Sequence, residues 1–459
     1  MRYLEDTIAA VSTPPGTGGI GIIRISGPNS FTTADKIFAS KTPVSKMISH
    51  TIIFGKIIDP SSEEVIDECM LSKMDAPATY TRENVVEINC HGSYATVKKI
   101  LEIVFSLGVR PADPGEFTKR AFLNGRIDLS EAEAVMDLIA ARTDESRKAA
   151  LHQMEGRLSS KLNEIRAKLI SALAEIEVTL DYPEHETHNV VGEHAMNTIS
   201  EVILQLRNLS ETYGRGRLIR EGMHIVIAGR PNAGKSSLLN MLCGKNRAIV
   251  TAIPGTTRDL IDEYIDIDGI PIILTDTAGI RKTDDEVEKI GVELAVLEVE
   301  KADLVIYVID STENKTFSLD LINKFRNRKI MVLINKIDKV DGDKLNEIKD
   351  LLSKYKPIEI SLKTGDGINA VFEGIKSIFS LASTIINSDD IITNVRHKVL
   401  LDKSLDALSN AQESYKSGMP LDCISYDIWD GAQKIGEITG DTINDQVIES
   451  IFTTFCLGK

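Results

Sequence analysis

Gly229-Arg-Pro-Asn-Ala-Gly234-Lys235-Ser236 fits the pattern G-x-x-x-x-G-K-[ST], follows an apolar strand candidate and opens a helix beginning Ser237-Leu-Leu-Asn240. A phosphate-binding loop requires that context, because glycine-permitted backbone N–H groups and a helix N-terminus converge on the phosphates. In such a loop Asn232, Ala233, Gly234, Lys235, Ser236 and Ser237 line the nucleotide. Lys235 neutralises the β and γ oxygens, and Ser236 ligates Mg2+. One match of this kind also arises by chance in turns, but further motifs follow in the expected order. Asp276-Thr277-Ala278-Gly279 ends an apolar strand, placing a carboxylate beside Mg2+ and a flexible peptide near the γ-phosphate. Asn335-Lys336-Ile337-Asp338 supplies a carboxylate that accepts N–H bonds from guanine N1 and its 2-amino group. Adenine lacks that donor pair, so the motif selects GTP over ATP. Ser361-Leu362-Lys363 has the position and residues of the loop that backs the guanine. Together these motifs predict a GTP hydrolase.

Ile280 stands where Ras-like enzymes carry the water-orienting Gln, so hydrolysis must recruit another group. Asp284, Asp285, Glu286 and Glu288 follow in the same segment, and any of them could orient the water; a solvated acidic helix start describes most of them better. Asn232 is a neutral oxygen donor that could coordinate a monovalent cation, although such an Asn is commonly a turn residue.

The elements that must hold these motifs are strands at His224–Ala228, Ile270–Thr275, Leu304–Ile309, Ile330–Ile334 and Ile358–Ser361, alternating with helices as in a doubly wound, mostly parallel sheet. Residues 1–118 carry short β-branched runs (Gly21–Ser26, Thr51–Phe54, Asn84–Asn89) broken by Gly and Pro, which reads as an α/β domain. From Leu129 the texture is helical: Ser130 and Glu133 form a capping-box signature, and Leu158 to Leu180 and Met196 to Leu209 recur at spacings of three and four. Helical texture resumes after Ser380. The expected organisation is therefore 1–118, 119–215, 216–380 and 381–459, with the α/β cassette of 216–380 inserted between two helical halves that pack together.

The chain of 459 residues is long enough for about three domains at roughly 150 residues each. Its formal charge is −15, and no part carries a basic excess, so it should not grip RNA alone through a broad electrostatic patch. The five cysteines are scattered without a C-x-x-C pair, suggesting neither zinc nor disulfides. No apolar run approaches the ~18 residues of a membrane span, and Glu5 and Asp6 interrupt any leader, so a cytoplasmic protein is expected. Gly16 to Gly21 satisfies G-x-G-x-x-G but precedes a strand rather than a helix, which excludes a dinucleotide fingerprint. Glu184-His-Glu-Thr-His188 lacks the helical spacing of a zinc pair and reads as a polar linker. The Leu/Ile stripe at 158–180 is short for a coiled coil, so packing within the chain is expected.

Gly229–Ser237, Thr251-Ala-Ile-Pro-Gly-Thr-Thr-Arg-Asp259, Asp276–Arg281 and the terminal Phe455-Cys-Leu-Gly-Lys459 resemble the MnmE (TrmE) family of tRNA-modification GTPases. Thr13–Arg24 and Arg110–Thr118 extend that resemblance over the whole chain. It implies an N-terminal α/β domain for folate binding and dimerisation, a long-helix domain and an inserted GTPase domain. The implied assembly is a homodimer that joins an MnmG-type flavoprotein in a heterotetramer. That complex installs an aminomethyl or carboxymethylaminomethyl group on the wobble uridine of certain tRNAs. Implied cofactors are GTP, Mg2+, K+ and 5-formyl- or methylene-tetrahydrofolate, with FAD and NADH held by the partner. By motif position Asn232, Thr251, Ile253 and Thr256 become K+ ligands, Ser236 and Thr257 Mg2+ ligands, and Glu288 the water-orienting acid. Arg24, Glu87, Arg126 and Lys459 fall on folate positions, and Cys456 becomes a candidate reactive thiol. Arg82 stands where the family usually has Gly. A ribosome-assembly switch of the Era/Der type is the alternative, but such switches typically carry a basic RNA-binding appendage that residues 381–459 lack.

Overall fold

The computed structural model describes residues 6–181, 188–245, 262–276, 299–313, 328–381, 391–456 and 458. They group into one compact unit of Met1–Met136 with Gly436–Lys459 and another of Asp137–Ile435.

The first unit is built on a sheet ordered β3-β4-β5-β6-β2-β1-β7. Its strands are β1 Ile8–Val11, β2 Gly21–Ser26, β3 Phe38–Ala39, β4 Thr51–Ile58, β5 Val65–Met74, β6 Val85–Cys90 and β7 Arg110–Pro111. β2 and β6 lie where the β-branched runs predict, and β2 rather than a helix follows Gly16–Gly21. Alternation along β2 sends Ile23 and Ile25 into a core with Ile88, Ile100 and Val104, leaving Arg24 with the opposite face. The capping signature is displaced: Asp128, not Ser130, caps the helix Leu129–Ala140. Its carboxylate accepts the Glu131 N–H at 2.8 Å, while the Glu131 carboxylate accepts the Asp128 N–H at 2.9 Å. Asp128 caps because it precedes the first turn, whereas Ser130 is already inside the helix, where its hydroxyl donates to Asp128.

Two glycines let the C-terminal tail reach this unit. Gly115, at φ 70°, would drive a Cβ to 2.6 Å from the Phe452 carbonyl and 2.8 Å from Phe455 Cβ. Gly458, at φ 86°, has no room for a Cβ against the Val11 carbonyl, and its own carbonyl accepts from Ser12 Oγ at 3.1 Å. Beside them Arg120, 1% exposed, donates to Asp6 at 2.5 Å, Glu116 at 2.9 Å and Glu83 at 3.1 Å.

In the second unit the helix Arg157–Asp181 packs along the helix His188–Glu211, and the later helix Val395–Lys416 also packs on His188–Glu211. The two helical stretches are cross-linked: Ser210 donates to Asp402 at 2.9 Å, Gln412 to Ser200 at 2.7 Å, and the Ile392 N–H to Thr212 at 3.0 Å. Between them in sequence lies a sheet ordered β13-β12-β11-β8-β10-β9. β8 (Met223–Gly229), β10 (Ile270–Asp276), β11 (Leu304–Asp310), β12 (Lys329–Asn335) and β13 (Ile358–Glu359) pair in parallel. β9 (Asp262–Ile267), which sequence inspection misses, adds an antiparallel edge. Its alternation of acids with Tyr264, Ile265 and Ile267 conceals it from a search for unbroken apolar runs. β13 also stops two residues short of the expected Ser361, because Ser361 turns into a loop. The Glu184–His188 segment lies outside the described residues except for His188, which starts the helix His188–Glu211.

Arg120→Met leaves Asp6, Glu83 and Glu116 facing one another around an apolar side chain and should cost about 3–5 kcal/mol in denaturant unfolding. Burial alone would raise the carboxyls of Asp6 and Glu116, but Arg110 and Arg120 outweigh it and hold both below their ordinary values of 3.8 and 4.5. Both groups therefore stabilise the fold fully above about pH 5, and that contribution fades as pH falls through the lowered values. Circular dichroism from about pH 5 down to about pH 2 should show the loss in the parent chain and a shallower dependence in Arg120→Met.

Candidate functional site

The phosphate-type loop joins β8 to the helix Lys235–Lys245, the geometry that aims helix N–H groups at an anion. Gly229 and Gly234 have φ of 146° and 108°, and a Cβ on either would strike the Val308 carbonyl or the Asn335 side chain. Asn232 takes a left-handed φ of 62°, which Asn tolerates better than most residues. Lys235 is 8% exposed and its Nζ donates to the carbonyls of Gly229 and Arg230, both at 2.9 Å, so the ammonium lies folded inside the loop. Ser236 and Ser237 open the helix on its exposed side.

Asn335 ties this loop to the base-recognition elements. Its Nδ2 donates to the Ala233 carbonyl at 2.8 Å and its Oδ1 accepts the Leu362 N–H at 3.2 Å. Lys336, at φ 64°, donates through Nζ to the Asn232 carbonyl at 2.9 Å. Ser361 Oγ donates to Asp338 Oδ1 at 2.7 Å, orienting one carboxylate oxygen. Lys363 is exposed in the following turn. Motifs separated by about a hundred residues thus form one hydrogen-bonded cluster whose carboxylate suits the paired N–H donors of guanine.

Asp310 is a member of this cluster that sequence inspection misses. It closes β11, ion-pairs with Lys336, and accepts from the Thr312 N–H at 2.9 Å and hydroxyl at 2.7 Å. Burial pushes its carboxyl up, but Lys336 and Thr312 together hold it below the ordinary value. An Asp-Ser-Thr turn directly after a buried parallel strand is the signal that could have revealed it. Asp276 ends β10 beside Ile227 of β8, at the carboxyl edge of the sheet. Thr251, Ile253, Thr256, Thr257, Thr277, Ala278, Gly279, Asp284, Asp285, Glu286 and Glu288 lie outside the described residues.

In the first unit Arg24 and Glu87 are directly opposed on β2 and β6, joined at 2.8 Å and only 16% and 22% exposed. The Arg24 guanidinium lies 5.5 Å from the Phe117 ring centre and 5.8 Å from that of Tyr80. Arg126 lies 4.6 Å over the same Tyr80 ring and donates to the Tyr80 carbonyl at 3.1 Å. Arg82 adopts φ 58°, the conformation a glycine would take there, and is anchored by donation to the Asn124 carbonyl at 3.0 Å. The Cys456 side chain is exposed, and its carbonyl accepts the Gly115 N–H at 3.2 Å. Burial, and then Asp67, push the thiols of Cys69 and Cys90 up to about 12 and about 11, which leaves both inert. Lys459 lies outside the described residues.

A family model described as the MnmE helical domain matches residues 129–456, and one described as the GTP-binding protein TrmE N-terminus matches residues 7–126. The chain belongs to the MnmE family of tRNA modification GTPases. The tRNA modification GTPase MnmE of Acetivibrio thermocellus is 51% identical over the full length of both chains. Those of Carboxydothermus hydrogenoformans and Staphylococcus aureus strain Newman are 46% and 42% identical, each over 99% of this chain and 100% and 99% of their own. A solved structure of Aquifex aeolicus Era is 28% identical over 40% of this chain and 66% of its own, with a TM-score of 0.27, too low to bear on the fold. The chain is a GTP hydrolase of tRNA modification. None of the helices among the described residues is long and apolar enough to cross a membrane.

If Asp338 accepts from both guanine donors, as its motif position leads one to expect, Asp338→Ala should weaken GTP binding about 100-fold and erase its preference over ATP, since bonds to a charged group contribute ~1.5–3 kcal/mol each. Titration calorimetry with both nucleotides checks this; undiminished GTP affinity would place base recognition elsewhere.

Proposed function

We propose that this GTPase is activated by K+ and, with an MnmG-type flavoprotein, forms the 5-carboxymethylaminomethyl or aminomethyl group on the wobble uridine of certain tRNAs. The observation that carries this reading is the meeting of the family's N- and C-terminal signatures in one unit. Gly115 and Gly458 seat the tail that bears Cys456 within the unit that also carries the Arg24–Glu87 pair and Arg126. A GTPase that served only as a switch would need no such cluster.

The residues present fit the groups the family implies. Lys235 is folded into its loop against carbonyls that phosphate oxygens would replace, and the helix start at Ser236 offers a hydroxyl for Mg2+, with Thr257 as second ligand. Asn232 has an exposed side chain at the loop apex and supplies one K+ oxygen, with Thr251, Ile253 and Thr256 completing the shell. Positive charge held there stabilises charge developing on the phosphates, and Glu288 orients the attacking water where Ile280 cannot. Asn232 to Ser237, Asp276 to Gly279, Asn335, Lys336, Asp338 and Ser361 to Lys363 surround the nucleotide.

In the first unit one carboxylate, Glu87, and the cations Arg24, Arg126 and Lys459 match a pterin N–H pair and a carboxylate tail, so these residues would hold a reduced folate. Bound there, 5-formyl- or methylene-tetrahydrofolate supplies a one-carbon unit. Cys456 offers an exposed thiol as nucleophile. FAD and NADH belong to the partner, which also supplies the basic surface for tRNA that a chain of charge −15 lacks. The working form is a cytoplasmic homodimer within a heterotetramer. Its chain divides into a folate-binding and dimerisation domain at 1–118, helical halves at 119–215 and 381–459, and the GTPase domain at 216–380.

Nucleoside mass spectrometry of tRNA from cells lacking the protein should show unmodified or incompletely modified wobble uridines; an unchanged profile overturns the proposal. In purified protein, GTP turnover should be faster in KCl than in NaCl, and Asn232→Ala should abolish the difference. Equal rates in both salts would remove the cation role.

A further inference from the structure

Tyr80 is where both cations assigned above to folate converge. Its ring lies 4.6 Å from the Arg126 guanidinium and 5.8 Å from that of Arg24, and its carbonyl accepts from Arg126 at 3.1 Å. Two guanidiniums beside one ring repel each other, and Arg24 is ion-paired with Glu87 at 2.8 Å. Arg126, exposed and ion-paired with no described residue in the structure's salt bridges, is oriented by the face and the carbonyl of Tyr80.

Tyr80 can do this because the segment around it is strapped at every step. Thr79 Oγ1 donates to the Glu83 carbonyl at 2.7 Å, Asn124 Nδ2 to the Thr81 carbonyl at 2.6 Å, and Arg82 to the Asn124 carbonyl at 3.0 Å. The Tyr80 hydroxyl pairs with the buried Thr118 hydroxyl at 2.9 Å. The Thr81 and Ser26 hydroxyls pair at 2.7 Å, and Glu83 is held by the buried Arg120. A platform fixed before the ligand arrives spares the ordering cost of two long side chains.

We propose that Tyr80 is the positioning residue of the folate site, its ring and carbonyl holding Arg24 and Arg126 in register for a ligand that carries a pterin N–H pair and carboxylates. This rests on the folate reading. The test is titration calorimetry of the full chain with 5-formyltetrahydrofolate. Tyr80→Leu should weaken binding about tenfold, while Tyr80→Phe, which keeps ring and carbonyl, should stay within about threefold. GTP affinity and the thermal midpoint should be unchanged in both; if Tyr80→Leu does not fold, Tyr80→Met takes its place. Arg24→Ala and Glu87→Ala separate the two claims. If they lose binding while Tyr80→Leu binds like the parent, or if Tyr80→Phe is as weak as Tyr80→Leu, the assignment to the Tyr80 ring is wrong. If Arg24→Ala and Glu87→Ala bind folate as tightly as the parent, the folate reading falls and the proposal with it.

Discussion

One side-chain amide, that of Asn335, holds the nucleotide cassette in a single geometry. It spans the Ala233 carbonyl and the Leu362 N–H, so the Gly229–Ser236 loop and the Ser361–Lys363 loop cannot shift independently. Its presence dictates the glycine at 234, because any side chain there would collide with it. Lys336 repeats the tie through the Asn232 carbonyl, and Asp310 fixes Lys336 in turn. The parallel strands β8, β10, β11 and β12 exist, in this sense, to bring their carboxyl ends to a common edge where these contacts close.

The first unit solves a different problem, the burial of charge. Arg120 is nearly inaccessible and is surrounded by Asp6, Glu83 and Glu116; Arg110 bonds Glu116 and Asp6 from the other side. Such a network stabilises little over an apolar core of the same shape, but it fixes one arrangement, since every alternative strands a charge away from water. The segment Thr79–Asn84 and the turn at Asn124–Arg126 are attached to it. Rigidity there is what a site built on the half-buried Arg24 and the exposed Arg126 would need if it is to recognise a ligand rather than merely attract one.

The parallel sheet was legible because its strands are unbroken apolar runs, and the residues proposed to bind guanine stand out in the sequence because the spacing of such motifs is chemically dictated. β9 was not, since an edge strand needs to be apolar on one face only. The cap at Asp128 was confused with Ser130 because both types cap helices and only backbone geometry chooses between them. Tyr80 and Arg120 have no local signature: each acquires its role from residues distant in sequence, Arg126 and Glu83 respectively. Asp310 carries only the Asp-Ser-Thr turn after its strand, and its pairing with Lys336 follows from the fold. Arg24 alone reads as a strand-face charge, and its pairing with Glu87 follows only from the register of β2 against β6.

Two sites of unrelated chemistry, one for guanine around Asp338 and one built from Arg24 and Glu87, are proposed to serve one modification of tRNA. The most direct measurement is the wobble-uridine composition of tRNA from cells whose sole copy carries either Asp338→Ala or Glu87→Ala, with protein levels matched to the parent. Loss of the modified nucleoside in both strains is the predicted result. Full modification in either strain would show that the corresponding site is dispensable and would contradict the account.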